Sequence, residues 1–194
     1  MREEGLQIKE WQQRIALYED MKAYGHLYDL LFNGLHRFCQ AFVKSGEVAE
    51  EIVSDVFIKL WLIRNNLHEI DNLKVYLYTI ARNLSLNYLT RQYRGTHVNL
   101  DDIEPDMAIG TGNPEELCIS ADTLENIRAV IRQLPPQCRV IFQLVKEEGM
   151  KYKEVADVLR ISPLTVRNQV GIATKKILEK LSRLGEEYTQ PGER

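Results

Sequence analysis

The chain is short of the residues that most other functional classes require. It holds three cysteines in 194 residues. Cys39, Cys118 and Cys138 are far apart and form no C-x-x-C, so neither a disulfide framework nor a thiolate zinc site is expected. Reduced thiols in a cytoplasmic protein fit this usage. No apolar run reaches the roughly 18 residues of a membrane-spanning helix, so no direct membrane insertion is expected. The opening stretch MREEGLQIKEWQQR is charged, lacks an apolar core and does not read as a secretory signal. Period-two alternation is missing throughout, which leaves no candidate strand. There is no H-E-x-x-H, nucleophile elbow or P-loop, so no catalytic residue, metal or cofactor is assigned. His36 and Cys39 stand three apart on one predicted helix. Two ligands do not make a zinc site, and the pair reads as helix-face packing.

What the chain has is helical periodicity and an uneven charge. The formal net charge is −3, an average that hides a partition. Residues 1–94 carry 12 basic and 12 acidic side chains, residues 95–123 none and seven, and residues 124–194 thirteen and nine. A neutral half, an acidic bridge and a basic half predict two modules and a linker. A phosphate backbone feels the local field, not the total.

The stretch Lys151–Leu181 predicts two helices over a very short turn. Tyr152, Val155, Ala156 and Leu159 line one face of the first. Val166, Val170, Ala173, Ile177 and Leu181 line the second. Ser162 is placed as an N-cap, and Pro163 takes the first helical position, where its missing N–H costs nothing. This describes a helix-turn-helix, whose second helix enters a DNA major groove. Thr165, Arg167, Asn168 and Gln169 on its polar face suit base edges and phosphates. Helix pairs over tight turns also occur in bundles that bind no nucleic acid.

Further helices are expected over Met21–Lys44, stopped at Ser45-Gly46, over Glu47–Asn65, and over Leu73–Arg94. Asn65–Asn72 reads as a polar loop. On the third of these helices Tyr76, Tyr78, Arg82, Asn83, Asn87, Arg91, Tyr93 and Arg94 interleave aromatics with cations and amides. Either the rings stack unpaired bases while the cations track phosphates, or the tyrosines roof the core and the arginines are solvated. Gly95–Asp122 breaks every period and reads as a flexible acidic linker. A helix from Thr123 to Leu134 and another over Gln137–Glu148, opened by Pro136 and closed by Gly149, complete the second module.

Three segments together resemble a bacterial RNA polymerase sigma factor of the extracytoplasmic-function (ECF) group. AEEIVSDVFIKLW (Ala49–Trp61) is similar to that family's polymerase-binding helix. NLKVYLYTIARNLSLNYL (Asn72–Leu89) resembles its promoter-melting and minus-ten-reading helix. Leu134–Leu181 resembles its minus-thirty-five domain. The resemblance implies an all-α fold: two small helical domains, a flexible acidic linker, and a helix-turn-helix in the second. It divides the chain into an extension (1–14), a region 2 domain (15–94), a linker (95–122), a region 4 domain (123–184) and a tail (185–194).

It implies a non-enzymatic factor that binds core RNA polymerase through the β′ clamp helices and the β flap, directs it to promoters and helps open the DNA. Polymerase contacts are expected at Glu51, Asp55 and Lys59. Minus-ten contacts are expected at Tyr76, Arg82, Asn83 and Asn87. Minus-thirty-five contacts are expected at Ser162, Thr165, Arg167, Asn168 and Gln169, with Lys175 further along toward phosphate. An anti-sigma factor is a further implied partner. A helix-turn-helix regulator that never joins polymerase is the alternative. The departures are Ser54 for Gln, Tyr76 for Trp, Arg160 for a turn Gly, and Gly171 within the recognition helix. A left-handed Arg160 would cost roughly 1 kcal/mol.

Overall fold

The computed structural model describes residues 2–92 and 129–189, with side-chain environments for 3–92 and 129–182. Every regular element among the described residues is helical. The linker prediction, the start of the Thr123–Leu134 helix, and Cys118, Tyr93 and Arg94 lie outside the described residues.

Residues 1–14, set apart above as an extension, are part of a helix, α1 (Arg2–Tyr18). Ile8 and Ile15 are buried, and Trp11 stacks on His26 at 5.5 Å. The buried Gln12 amide donates to the carbonyls of Leu67 and Ile70, the latter at 2.7 Å. This hydrogen bonding lies beyond what apolar periodicity can register. At the α1–α2 corner Asp20 caps α2 (Met21–Val43) by accepting from the amides of Lys22 and Ala23, and Arg14 donates to its other oxygen at 2.6 Å.

The predicted stop at Gly46 is displaced by two residues. Lys44 takes the left-handed position (φ 59°) that ends α2. Ser45 then caps α3, accepting from Val48 N at 3.3 Å, and Gly46 opens α3 (Gly46–Leu62). The polar loop contains a 3-10 turn, Arg64–Glu69, pinned by the buried Leu67. Asn72 Oδ1 accepts from Val75 N at 3.1 Å as α4 (Leu73–Gln92) begins. Leu27, Leu31, Leu35 and Phe38 of α2 pack with Val53, Val56 and Leu60 of α3 and with Leu77 and Ala81 of α4. Each of these side chains larger than alanine contributes about 1.5–3 kcal/mol by leaving water.

In the described part of the second module, residues 129–132 are helical. Pro136 is the first residue of α5 (Pro136–Lys146). Buried Arg139 donates to the carbonyls of Arg132 and of Leu134, the latter at 3.0 Å, and so ties the preceding turn to α5. Gly149 (φ 66°) turns the chain into α6 (Tyr152–Leu159). α7 (Pro163–Thr189) runs on past Gly185, where a polar tail was expected.

The two modules touch. Val140, Ile141, Leu144, Met150, Val155, Ala156 and Leu159 belong to the same apolar cluster as the α2–α4 core, and α6 packs along α4.

Candidate polymerase and promoter interfaces

Ser162 and Pro163 shape the start of α7 as their chemistry demands. Ser162 Oγ accepts from Thr165 N at 3.0 Å and lies 2.8 Å from Thr165 Oγ1. Both hydroxyls are thus partly committed to the cap; Ser162 keeps one further hydrogen-bonding site for a ligand and Thr165 keeps two. Arg167 and Asn168 are exposed, while Gln169 is half-buried and its backbone carbonyl accepts from the Cys138 thiol at 3.3 Å. Val166, Val170 and Ala173 anchor the opposite face. Lys175, eight residues beyond Arg167, lies about 12 Å further along the axis and pairs loosely with Glu179 at 3.9 Å. Leu164, 64% exposed, was overlooked by the sequence reading. If α7 enters a major groove, an apolar side chain in its first turn suits a thymine methyl.

The turn before α7 is built on strain. Arg160 sits at φ 57°, ψ 46°, the left-handed conformation that favours glycine. Its amide and that of Ile161 both donate to the Ala156 carbonyl, the latter at 3.1 Å, closing α6 as a glycine cap would.

On α4, Tyr76, Asn83 and Asn87 are seven and four residues apart and share one helix face. Asn87 is exposed and the other two are half-buried. Arg82 lies on the neighbouring face toward the second module and donates to Asn83 Oδ1 at 3.3 Å. Burial, then the nearby Arg160 charge, lowers the Arg82 pKa. Tyr78 does not join this surface. It is fully buried against Phe38, so for this ring the core-roof reading holds. Burial raises its phenol pKa well above the ordinary range.

On α3, Glu51, Asp55 and Lys59 recur every fourth residue and are all exposed. Glu47, Glu50 and Ser54 complete an acidic concavity with Glu51 and Asp55. Ser54 turns its hydroxyl back to the Glu50 carbonyl at 2.9 Å, so it offers less to a partner than a longer amide would. Beside this stripe Met21, Tyr24, Ile58, Trp61 and Leu62 line an apolar cleft, with Ile58 and Leu62 56% and 71% exposed. The sequence held the signal: Ile58 and Leu62 fall off the Ile52–Val56–Leu60 stripe, on a face that is otherwise polar. Apolar surface bordered by charge is the composition of a protein interface.

The His36–Cys39 pair diverges. His36 Nε2 contacts the Gly46 carbonyl at 3.1 Å. Cys39 is buried beside Ser85, and its thiol pKa is pushed up to about 12 by burial. No group of three or more metal-ligating side chains occurs among the described residues, and no described helix is long and apolar enough to cross a membrane.

Comparison with known proteins agrees with this arrangement. The "Sigma-70 region 2" family matches residues 27–95 and "Sigma-70, region 4" matches residues 124–183. The ECF RNA polymerase sigma-E factor of Escherichia coli K12 is 27% identical over 172 residues, covering 85% of this chain and 90% of its own. The RNA polymerase sigma-H factor of Pseudomonas aeruginosa is 28% identical over 150 residues, covering 74% and 78%. Among solved structures, the sigma factor RpoE in complex with the anti-sigma factor NepR from Bartonella quintana superposes with a TM-score of 0.56 at 21% identity, covering 84% of this chain and 98% of that one. CnrH in complex with the cytosolic domain of CnrY gives 0.53 at 20%, covering 91% and 98%. With both sigma-70 regions in order over more than half its length, and with relatives that match over about three quarters or more of either chain, this chain belongs to the sigma-70 family, in the ECF group of RNA polymerase sigma factors.

Proposed function

We propose that the chain docks on core RNA polymerase through α3, reads and opens the minus-ten element with α4, and reads minus-thirty-five duplex with α7. The observation that carries this reading is the pairing of two surfaces at opposite ends of one chain. α3 presents a charged stripe with an apolar cleft beside it, and α7 presents Arg167 and Asn168 on a buried helix-turn-helix scaffold. A DNA-binding regulator that acts alone has no use for the first surface.

Each surface has its own part. The charges of Glu51, Asp55 and Lys59 set register on the β′ clamp helices, and Ile58 and Leu62 supply the desolvated centre that holds the contact. Tyr76 stacks an unpaired base of the non-template strand, Asn83 and Asn87 hydrogen-bond base edges or sugar, and Arg82 neutralises phosphate. These contacts offset the cost of unpairing the duplex. Arg167, Asn168 and Gln169, with the remaining capacity of Ser162 and Thr165, read base edges in the major groove. Lys175 meets the backbone. The factor itself performs no covalent chemistry. It works in the cytoplasm beside the polymerase, and an anti-sigma factor that covers these faces would silence it.

Leu62→Asp tests the docking surface. Leu62 is 71% exposed, so the fold should tolerate the change. Placed at the centre of an interface, a buried carboxylate should weaken core binding tenfold or more, about 1.4 kcal/mol. Unchanged affinity in a fluorescence-anisotropy titration would remove this cleft from the polymerase interface.

A further inference from the structure

On the reading of α4 as the minus-ten helix, we infer that α1 is a splint for the loop that leads into it, with Gln12 as the positioning residue for base choice there. α1 (Arg2–Tyr18) precedes residues 27–95, the part that matches sigma-70 region 2. It nevertheless ties to the Arg64–Lys74 stretch at three points. Glu19, the residue after α1, pairs with Arg64 at 3.0 Å. The Gln12 amide donates to the carbonyls of Leu67 and Ile70. Glu4, near the start of α1, pairs with Lys74 at 3.0 Å. The ties advance along the loop as α1 is followed back from its end, so the two segments run antiparallel.

The loop needs such support. Arg64–Glu69 is six residues of 3-10 helix, longer than the roughly three or four residues at which that geometry usually stops. Gln12 is 3% exposed. Its primary amide has two N–H donors, and both are spent on the loop. The Leu67 carbonyl also accepts from Ile70 N at 3.1 Å, which fills both of its lone pairs. Asparagine is a methylene too short for this bridge, and glutamate brings no donor. The two ion pairs reach solvent, where such pairs contribute little. The buried glutamine therefore carries most of the constraint.

What the loop carries makes its fixity matter for base choice. Leu67 is buried beneath it, while Asn65, Asn66 and His68 are exposed. The carbonyl of Asn72 accepts from Tyr76 N at 3.1 Å, so the loop runs directly into the turn that bears the Tyr76 ring. Stacking on a ring is sequence-tolerant, because every base has a face. Choice among bases needs hydrogen bonds, which weaken steeply as their angles degrade. Asn83 and Asn87 are held by α4 itself. Asn65, Asn66 and His68 are only as fixed as the backbone under them. Loss of Gln12 should flatten the choice read by the loop and spare the choice read by α4.

A glutamine that served folding alone would act differently. Lost stability lowers the folded fraction by one factor for every DNA sequence, so it cancels from the ratio of one base to another. Weakened docking on core polymerase cancels in the same way. Lost positioning does not cancel.

The test uses the full chain bound to core RNA polymerase and a pool of single-stranded DNA with a randomised window, sequenced before and after capture. Gln12→Met keeps the length of the side chain and removes both donors. The parent should enrich a motif. In Gln12→Met the base preference should fall severalfold at some positions of that motif and persist at the others. Hydrogen exchange of the free chain supplies a second readout. The Asn66 and Ile70 amides, bonded within the loop at 2.9 and 3.1 Å, should exchange severalfold faster in the variant, with the core amides of α2 and α3 much less changed. A further pair of variants covers the case in which Gln12→Met fails to fold. Glu19→Arg, at an exposed site, sets like charges at the other end of the splint, and Glu19→Arg/Arg64→Glu restores the attraction. Preference should fall in the first and return in the second. A motif identical in parent and variants would overturn the splint. So would exchange that quickens equally in loop and core, since Gln12 would then serve folding. A parent that enriches no motif would overturn the minus-ten reading itself, and the splint with it.

Discussion

Arg160→Gly isolates the strain in the turn between the two helix-turn-helix helices. Arg160 holds φ 57° and ψ 46° and is exposed, so the substitution removes little packing. A residue with a Cβ pays about 1–2 kcal/mol in this conformation. Glycine escapes that cost but loses more freedom on folding, by about 0.4–1 kcal/mol. The net expectation is a gain of roughly 0.5–1 kcal/mol, or about 1–4 °C in Tm for a chain of this size. Arg160→Ala separates strain from charge. It keeps the Cβ and removes the cation that faces Arg82. Thermal unfolding followed by circular dichroism should rank glycine above alanine, with alanine close to the parent. If alanine stabilises as much as glycine, repulsion and not backbone strain was the cost. If glycine destabilises, the reasoning about the left-handed cap is wrong.

Two more substitutions probe separate parts of the account. Arg167→Ala should weaken binding to promoter duplex by about 1–3 kcal/mol if its guanidinium reads a base, measured as the ratio of specific to non-specific affinity at fixed salt. An equal loss for both DNAs would make it a phosphate contact. Gln12→Ala removes the amide that satisfies the Leu67 and Ile70 carbonyls. It should cost about 1–3 kcal/mol, read as a lowered urea midpoint, and no change would mean that α1 is an ornament on the first module.

Much of the fold was legible because apolar spacing survives tertiary context. α2, α3, α4, α5, α6 and α7 fall where their stripes place them, and Pro136, Gly149, Ser162 and Pro163 mark the ends of the last three as turn chemistry requires. What stayed hidden was set by contacts distant in sequence. α1 is fixed by a glutamine that bonds carbonyls more than fifty residues away. The end of α2 falls on Lys44 and not on a glycine, because Ser45 is taken as the cap of the next helix. Tyr78 looked like its interleaved neighbours, yet points into the core. Among the candidate surfaces, the polar residues of α3 and α7 could be chosen by type and spacing. Leu164, Ile58 and Leu62 were passed over because apolar residues on helices read first as core. Only their exposure reassigns them. The ion pairs of Glu148 with Arg37 and Lys74 have no local signature, since nothing near Glu148 in the sequence announces either partner.

The central claim is that this chain confers promoter choice on an enzyme that lacks it. Run-off transcription with core RNA polymerase on a library of genomic fragments tests this most directly. Core plus this factor should yield discrete transcripts absent with core alone. Leu62→Asp should lose them together, and Arg167→Ala should lose them template by template. Transcripts from the same starts with and without the factor would contradict the account.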